Sequence, residues 1–259
     1  MEVFASIQGE GAYVGEPQVF VRLRGCPMRC EWCDTPGSWA FDGESARIAG
    51  VEGTVREDAW ATPFKVATWI AGVEPREARK VSLTGGEPLM WPEFVVALRG
   101  MIGERPLHLE TAGGHPRALE QVIEFVDHIS LDLKLPIDLA PPLESVPAAD
   151  RPAPTRELAP RNADEWRAAR RACLQLVADR DACAKIVVAG RRSLVEFEPL
   201  LEDLVHVAPK VPLVLQPVTP ANGVVAPEAD FLTDLVEEAR DLGLHVRVVP
   251  QVHRALGLP

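Results

Sequence analysis

The chain carries little that would cross-link it and little that would draw it to a polyanion. Its five cysteines are an odd number for 259 residues, which argues against a disulfide framework. Positive charge is scarce: 27 Lys and Arg against 38 Asp and Glu leave a formal net charge of −11. That balance speaks against broad binding of nucleic acid or anionic membranes, because both need a positive surface. No apolar run approaches the roughly 18 residues of a transmembrane helix. The opening Met1-Glu2-Val3-Phe4 lacks the basic and apolar regions of a signal peptide. The expectation is a soluble, cytoplasmic protein with neither nucleic acid nor membrane as partner. No internal repeat of fixed period is visible, which speaks against a solenoid.

The composition is that of a core-forming globular chain, 47% apolar and 25% charged. Strand-like runs at 19–24, 80–84, 107–110, 128–133, 184–189, 212–216 and 244–249 alternate with helical patterns. The helices are expected from Thr62-Pro63, from Pro92, from His115-Pro116, and over 163–178, 194–207 and 227–242. Such alternation predicts an α/β fold with parallel strands and outer helices. Too few units are present to close a full eight-unit barrel, so a partial, open β/α barrel of about six parallel strands is expected. A doubly wound open sheet is the alternative. A single domain over 1–259 is expected, interrupted by a proline-rich insertion at about 136–162 and followed by a tail at 250–259. In either topology the active site belongs at the carboxyl ends of the strands.

Three of the five cysteines fall within eight residues: Cys26, Cys30 and Cys33 read C-x3-C-x2-C just after the first of these strands. Three thiolates on one tight loop suit a soft metal centre. A four-iron cubane held by three cysteines keeps one iron open, as a reactive cluster requires. A structural zinc site wants four ligands. Cys173 and Cys183 are remote and unpaired, and the loop has no histidine. Both remote cysteines read as small buried apolar residues.

With an aromatic before its last cysteine, this triplet resembles the radical S-adenosylmethionine (SAM) superfamily. Further strings resemble one of its families, the 7-carboxy-7-deazaguanine synthases. They are Ser6-Ile7-Gln8-Gly9-Glu10-Gly11, Phe20-Val21-Arg22-Leu23-Arg24-Gly25-Cys26, Trp32-Cys33-Asp34-Thr35, Thr84-Gly85-Gly86-Glu87-Pro88, Leu109-Glu110-Thr111 and the closing Gln251-Val252-His253-Arg254-Ala255-Leu256-Gly257-Leu258-Pro259. The similarity spans nearly all of the chain outside the proline-rich segment.

The resemblance implies a radical SAM lyase that converts 6-carboxy-5,6,7,8-tetrahydropterin to 7-carboxy-7-deazaguanine with loss of ammonia, a step of 7-deazapurine and queuosine biosynthesis. It implies a [4Fe–4S] cluster on Cys26, Cys30 and Cys33, and SAM held by Trp32, Cys33, Asp34, Gly86, Asp132, Leu133 and Lys134. It implies Mg²⁺ at Thr35, where a lone hydroxyl needs substrate oxygens and water to complete a hard-cation site. The pterin is assigned to Ile7, Gln8, Gly9, Glu10, Arg22, Thr84, Glu110 and the terminal Pro259. Arginine suits a carboxylate through bidentate geometry, and a flat ring rich in donors and acceptors needs complementary partners. No catalytic side chain is expected beyond cofactor and cluster. A flavodoxin- or ferredoxin-like electron donor and a homodimer are implied as partners. Each residue also has a plainer reading: an outward arginine at Arg22, a strand-to-helix turn at Gly85-Gly86, a solvated strand end at Lys134 and a turn hydroxyl at Thr35. Two rival functions are a glycyl-radical-enzyme activating enzyme and a non-enzymatic iron–sulfur or zinc-binding module.

Overall fold

The computed structural model describes residues 1–41, 45–140, 153–221 and 223–259. Twelve strands occur in chain order among them: β1 (Glu2–Ile7), β2 (Pro17–Leu23), β3 (Arg29–Cys30), β4 (Ser45–Gly50), β5 (Gly53–Asp58), β6 (Lys80–Gly85), β7 (Leu107–Thr111), β8 (His128–Asp132), β9 (Leu139–Ala140), β10 (Ala182–Val188), β11 (Leu213–Pro217) and β12 (Val246–Val248). The α-helices are α1 (Pro63–Val73), α2 (Pro92–Arg99), α3 (Pro116–Val122), α4 (Ala163–Val177), α5 (Leu194–Val207), α6 (Ala229–Asp241) and the short α7 (Val252–Ala255).

Ten strands form one sheet in the order β12-β11-β10-β8-β7-β6-β2-β1-β4-β5. From β2 to β12 every neighbouring pair is parallel. These seven strands are the seven read from the sequence, and helices α1 to α6 flank them. β12 and β5 are the two ends of the sheet, so the barrel is open. The sequence reading did not include β1, which runs antiparallel to β2 and parallel to β4, or the β4–β5 hairpin beyond it.

Side-chain parity along the parallel strands sorts the molecule into two environments. Val19, Val21, Val81, Leu83, Leu107, Leu109, Ile129, Leu131, Ile186, Leu213 and Leu215 share one buried cluster with helix residues such as Ile70, Leu98, Leu119, Leu174, Leu200 and Leu235. The alternate positions face the other way. They are largely polar: Gln18 and Arg22 on β2, Ser82 and Thr84 on β6, His108 and Glu110 on β7, Ser130 and Asp132 on β8, Lys185 on β10 and Gln216 on β11. Each fully buried Leu or Ile contributes about 1.5–3 kcal/mol on the helix side. The sheet can therefore carry a polar layer on its inner face.

Helix starts follow the local chemistry. The Thr62 hydroxyl accepts the Lys65 N–H at 3.2 Å with Pro63 in the first turn. Ser193 and Glu196 form a capping box on α5. The start of α3 is capped from a distance. Glu157 accepts the N–H groups of Arg117 and Ala118 at 3.0 and 2.9 Å, placing a carboxylate on a helix N-terminus. Glu157 belongs to the proline-rich stretch expected at about 136–162. The described parts of that stretch pack against the body: Leu139–Ala140 pairs with Arg29–Cys30, and the Thr155 N–H donates to the Met90 carbonyl at 2.8 Å. Residues 141–152 lie outside the described residues.

Candidate active site

A pocket opens at the carboxyl ends of the parallel strands. Arg22, Thr84, Gly85, Gly86, Glu110, Thr111, Ala112, Asp132, Lys134, Lys185, Val187, Gln216 and Val218 line it from six successive strands and the loops that leave them. The cysteine loop after β2 forms one wall with Cys26, Cys30, Trp32, Cys33, Asp34 and Thr35. Ile7, Gln8, Gly9 and Glu10, from the end of β1 and the loop after it, form another. Gln251, His253 and Pro259 of the tail cover a third side.

The cysteine loop is held from both ends. The Arg29 guanidinium donates to the carbonyls of Cys26 and Met28, both at 2.7 Å, and stacks over Trp39. β3 pairs with β9, and the Glu31 N–H donates to the Asp138 carbonyl at 2.9 Å. The buried Asp138 carboxylate accepts the Trp32 indole N–H at 3.0 Å and two N–H groups of Arg192. Lys134 Nζ sits 4.4 Å from the centre of the Trp32 ring. Burial, reinforced by Glu87, pushes the Cys26 thiol up to about 12, and burial also raises Cys30. Thiolate at these positions therefore requires a metal to displace the protons.

Gly85 and Gly86 meet protein backbone. A Cβ on Gly85 would lie 2.2 Å from the Leu23 carbonyl oxygen, and one on Gly86 2.4 Å from that of Gly25. Gly85 also has φ +131. The glycines thus let the end of β6 press against the chain entering the cysteine loop.

The pocket floor is a chain of alternating buried charges. Lys185 Nζ bonds Glu10 at 2.5 Å and lies 3.2 Å from Asp132, whose other oxygen accepts Lys134 at 2.7 Å. Burial alone would raise both acids, but the neighbouring ammonium groups overcome it and hold Glu10 and Asp132 below the usual carboxylate range. Burial opposes the charge of Lys185 and Lys134 as well, and the facing carboxylates win, so both stay cationic. Glu110 differs: burial raises it despite Lys185. Its Oε1 accepts Gln8 Nε2 at 2.8 Å and the Ser82 hydroxyl at 2.9 Å, while Thr84 stands 3.5 Å from Oε2. Arg22 bonds Glu2 at 2.6 Å and lies over the Phe4 ring. It reaches the pocket and is not the outward, solvated arginine of the plainer reading.

The tail is bound along its length. The Val252 N–H donates to the Gly9 carbonyl at 3.0 Å, Gln251 Nε2 to Glu10 at 2.9 Å, Arg254 reaches Asp34 at 3.4 Å, and the Ser6 hydroxyl donates to a Pro259 oxygen at 3.3 Å. The His253 ring fills the space where a Cβ on Gly9 would lie, with Nδ1 at 1.9 Å. Ligand atoms of Glu10, Asp34 and His253 lie within 4.8 Å of one another. Lys185, Gln251 and Arg254 already occupy the two carboxylates, so this trio works as a latch for the tail.

Comparison with known proteins decides the family. The model of the radical SAM superfamily matches residues 20–138. A 7-carboxy-7-deazaguanine synthase of Geobacter sulfurreducens is 33% identical over 263 residues, spanning 99% of this chain and 96% of that one. Its counterpart from Methanothermobacter thermautotrophicus is 32% identical over 267 residues, spanning 100% and 96%. This chain belongs to the 7-carboxy-7-deazaguanine synthase family.

Solved structures agree on the fold. QueE from Escherichia coli superposes with a TM-score of 0.53 at 20% identity, covering 95% of this chain and 91% of that one. A radical SAM methyltransferase from Sphaerobacter thermophilus gives 0.60 at 16% identity, covering 91% and 66%.

Membership in a radical SAM synthase family implies a [4Fe–4S] cluster and SAM, and the donor set fits. Cys26, Cys30 and Cys33 are all free thiols and all line the same pocket. Three sulfur donors at one space, with no histidine in their loop to complete a four-ligand zinc set, are the soft donor set that an iron–sulfur cluster takes.

Of the residues expected to serve a synthase site, all but one line this pocket. The exception is Leu133. It shares parity with Ile129 and Leu131 and is packed in the helix-side core, so its side chain faces away from this pocket. Only its backbone borders the strand end, its N–H donating to the Lys185 carbonyl at 2.7 Å. Sequence reading missed Lys185 and Gln216. A lone lysine inside Ala182–Val188, where every residue is buried, is a signal that could have found the first.

Proposed function

We propose that this chain catalyses the family's reaction, 6-carboxy-5,6,7,8-tetrahydropterin to 7-carboxy-7-deazaguanine with loss of ammonia, in the synthesis of 7-deazapurines such as queuosine. One observation carries the reading. A three-cysteine loop and a wall of paired hydrogen-bonding side chains share one pocket, with Gln251, His253 and Pro259 along its third side.

Cys26, Cys30 and Cys33 would hold three irons and leave the fourth for SAM. When bound, cluster and SAM supply a 5′-deoxyadenosyl radical on one-electron reduction, chemistry that belongs to the cofactors. Trp32, Cys33, Asp34, Gly86, Asp132 and Lys134 border the space on the cluster side, with the backbone of Leu133 beside them. On the far side Gln8, Thr84 and Glu110 offer both donors and acceptors for a flat pterin. Ile7, Gly9 and Glu10 line the adjoining wall. Arg22 is the cation available for the substrate carboxylate once its bond to Glu2 is shared. Pro259, whose oxygen accepts the Ser6 hydroxyl at 3.3 Å at the rim, would stand beside the substrate and help to keep water out. Thr35, which lines the pocket, would give its hydroxyl to a Mg²⁺ completed by substrate oxygens and water. A flavodoxin- or ferredoxin-like donor, a homodimeric assembly and a cytoplasmic setting complete the reading. Among the described residues no helix is long and apolar enough to cross a membrane.

Replacing Arg22 by Ala or Glu10 by Gln is the direct test. Both variants are expected to load the cluster and cleave SAM in the presence of a reductant, with product formation reduced at least about a hundredfold, the loss of a charge-assisted contact. Normal turnover in both would refute the site assignment.

A further inference from the structure

We infer that Ser82 and His108 are positioning residues for Glu110: a one-way chain of hydrogen bonds through the barrel interior, from Ser130 through His108 and Ser82, keeps this carboxylate ionised and aimed into the pocket. The inference rests on reading Glu110 as a substrate contact.

Neither residue borders the pocket. Ser82 is 0% and His108 1% exposed. They are register partners on β6 and β7, and Ser130 lies on β8 beside them. Proton counting fixes the direction of the chain. An ionised Glu110 can only accept, so the Ser82 hydroxyl donates to Oε1 at 2.9 Å. Ser82 has then spent its single proton, and its oxygen accepts. His108 Nδ1 faces two acceptors, Ser82 Oγ at 3.4 Å and Gln18 Oε1 at 3.5 Å. Nδ1 therefore carries the ring proton. Nε2 is left bare and accepts the Ser130 hydroxyl at 2.9 Å, and Ser130 Oγ in turn meets Cys183 Sγ at 3.4 Å. Every donor in the series points toward Glu110.

The arrangement has a chemical purpose. The pyrimidine edge of a pterin presents a ring N–H beside an amino group, a pair of donors that only an ionised carboxylate satisfies at both oxygens. Burial works against that ionisation. Glu110 faces the cation Lys185 and the anion Glu10, whose effects oppose each other. Burial first, and then His128, Lys185 and Lys80 facing it, lower His108 and hold its ring neutral. A neutral ring is what the directed chain requires, since a second ring proton would confront the Ser130 donor.

Fluorescence titration with 6-carboxypterin, in anaerobic enzyme carrying cluster and SAM, tests the chain between pH 5.5 and 8. Cluster absorption and Tm report integrity. In the parent enzyme affinity is expected to fall on the acid side as Glu110 protonates. Ser82→Ala should bind about tenfold more weakly on the acid limb, which moves up by about one pH unit. His108→Phe should shift the limb the same way by less. His108→Asn, which retains an N–H where Nδ1 stood, should follow the parent. The two His108 variants decide the matter if Ser82→Ala does not fold. An unmoved acid limb in His108→Phe and in a folded Ser82→Ala overturns the inference, as does an equal shift in His108→Asn and His108→Phe. Glu110→Gln separates the underlying reading. It should lose affinity and the acid limb together, and full affinity there would overturn the reading and this inference with it.

Discussion

Lys185 concentrates the electrostatics of the site in one residue. It sits between Glu10 and Asp132 with almost no solvent to screen it. Removing one partner of a buried network leaves the others uncompensated, which costs about 3–5 kcal/mol. Lys185→Met is therefore expected to lower Tm sharply at pH 7. The pH dependence gives a sign to check. In the parent, Glu10 and Asp132 have folded pKa values below their unfolded ones. The unfolded chain then binds more protons, so their contribution is present above the unfolded pKa and lost as pH falls through the folded one. Without the lysine, burial would raise Glu10, while Lys134 still holds Asp132 down, and the Glu10 contribution should instead grow as pH falls from 7 toward 4. Tm measured across that range in the two proteins should show opposite slopes for this contribution. Parallel profiles would contradict the pairing. The cysteines, Glu10, Arg22 and Glu110 were legible because each sits in a distinctive string. Lys185 and Gln216 lie on strands without such a string, and only their parity with Cys183 or Val214 marks them as inward-facing.

The two-residue strands and the tail show how small elements place the chemistry. The β3–β9 pair and Asp138 fix the cysteine loop, yet Pro136, Asp138 and Leu139 fall inside the stretch that composition marks as an insertion. Proline content reports a lack of helical or strand periodicity and says nothing of what the backbone touches. Asp138→Ala should free the Trp32 indole and leave Arg192 with Glu31 as its remaining partner. Iron loss to a chelator is expected to rise about tenfold, with roughly 1–3 kcal/mol of stability lost. A loss rate equal to that of the parent would show that the clamp does not hold the loop. The tail makes a steric prediction. Gly9→Ala places a methyl group inside the His253 ring, so it should displace the tail and raise the KM for the pterin severalfold. Uncoupled SAM cleavage should be unchanged. The double variant Gly9→Ala with His253→Ala should recover part of the loss, because the ring is gone and only a Cβ approach of 2.9 Å remains. No recovery would place the defect elsewhere than in tail docking.

At the scale of the whole molecule, the seven parallel strands were legible because their helix-facing halves are apolar and helix signals separate them along the chain. β1 and the β4–β5 hairpin were not. Glu2–Ile7 is short and overlaps a functional string, and Gly53–Asp58 is exposed along its length, so no burial pattern marks it as a strand. The polar inner face also departs from the near-continuous apolar strands usual in buried parallel sheets, and that departure is the imprint of the pocket on the sequence. The account's central claim is that the cysteine loop and this polar face serve one reaction. The most direct measurement is anaerobic turnover of reconstituted enzyme with SAM, reductant, Mg²⁺ and 6-carboxytetrahydropterin, read by mass spectrometry. We expect 7-carboxy-7-deazaguanine from the parent and none from Cys30→Ala. A loaded cluster that cleaves SAM yet yields no such product would contradict the account.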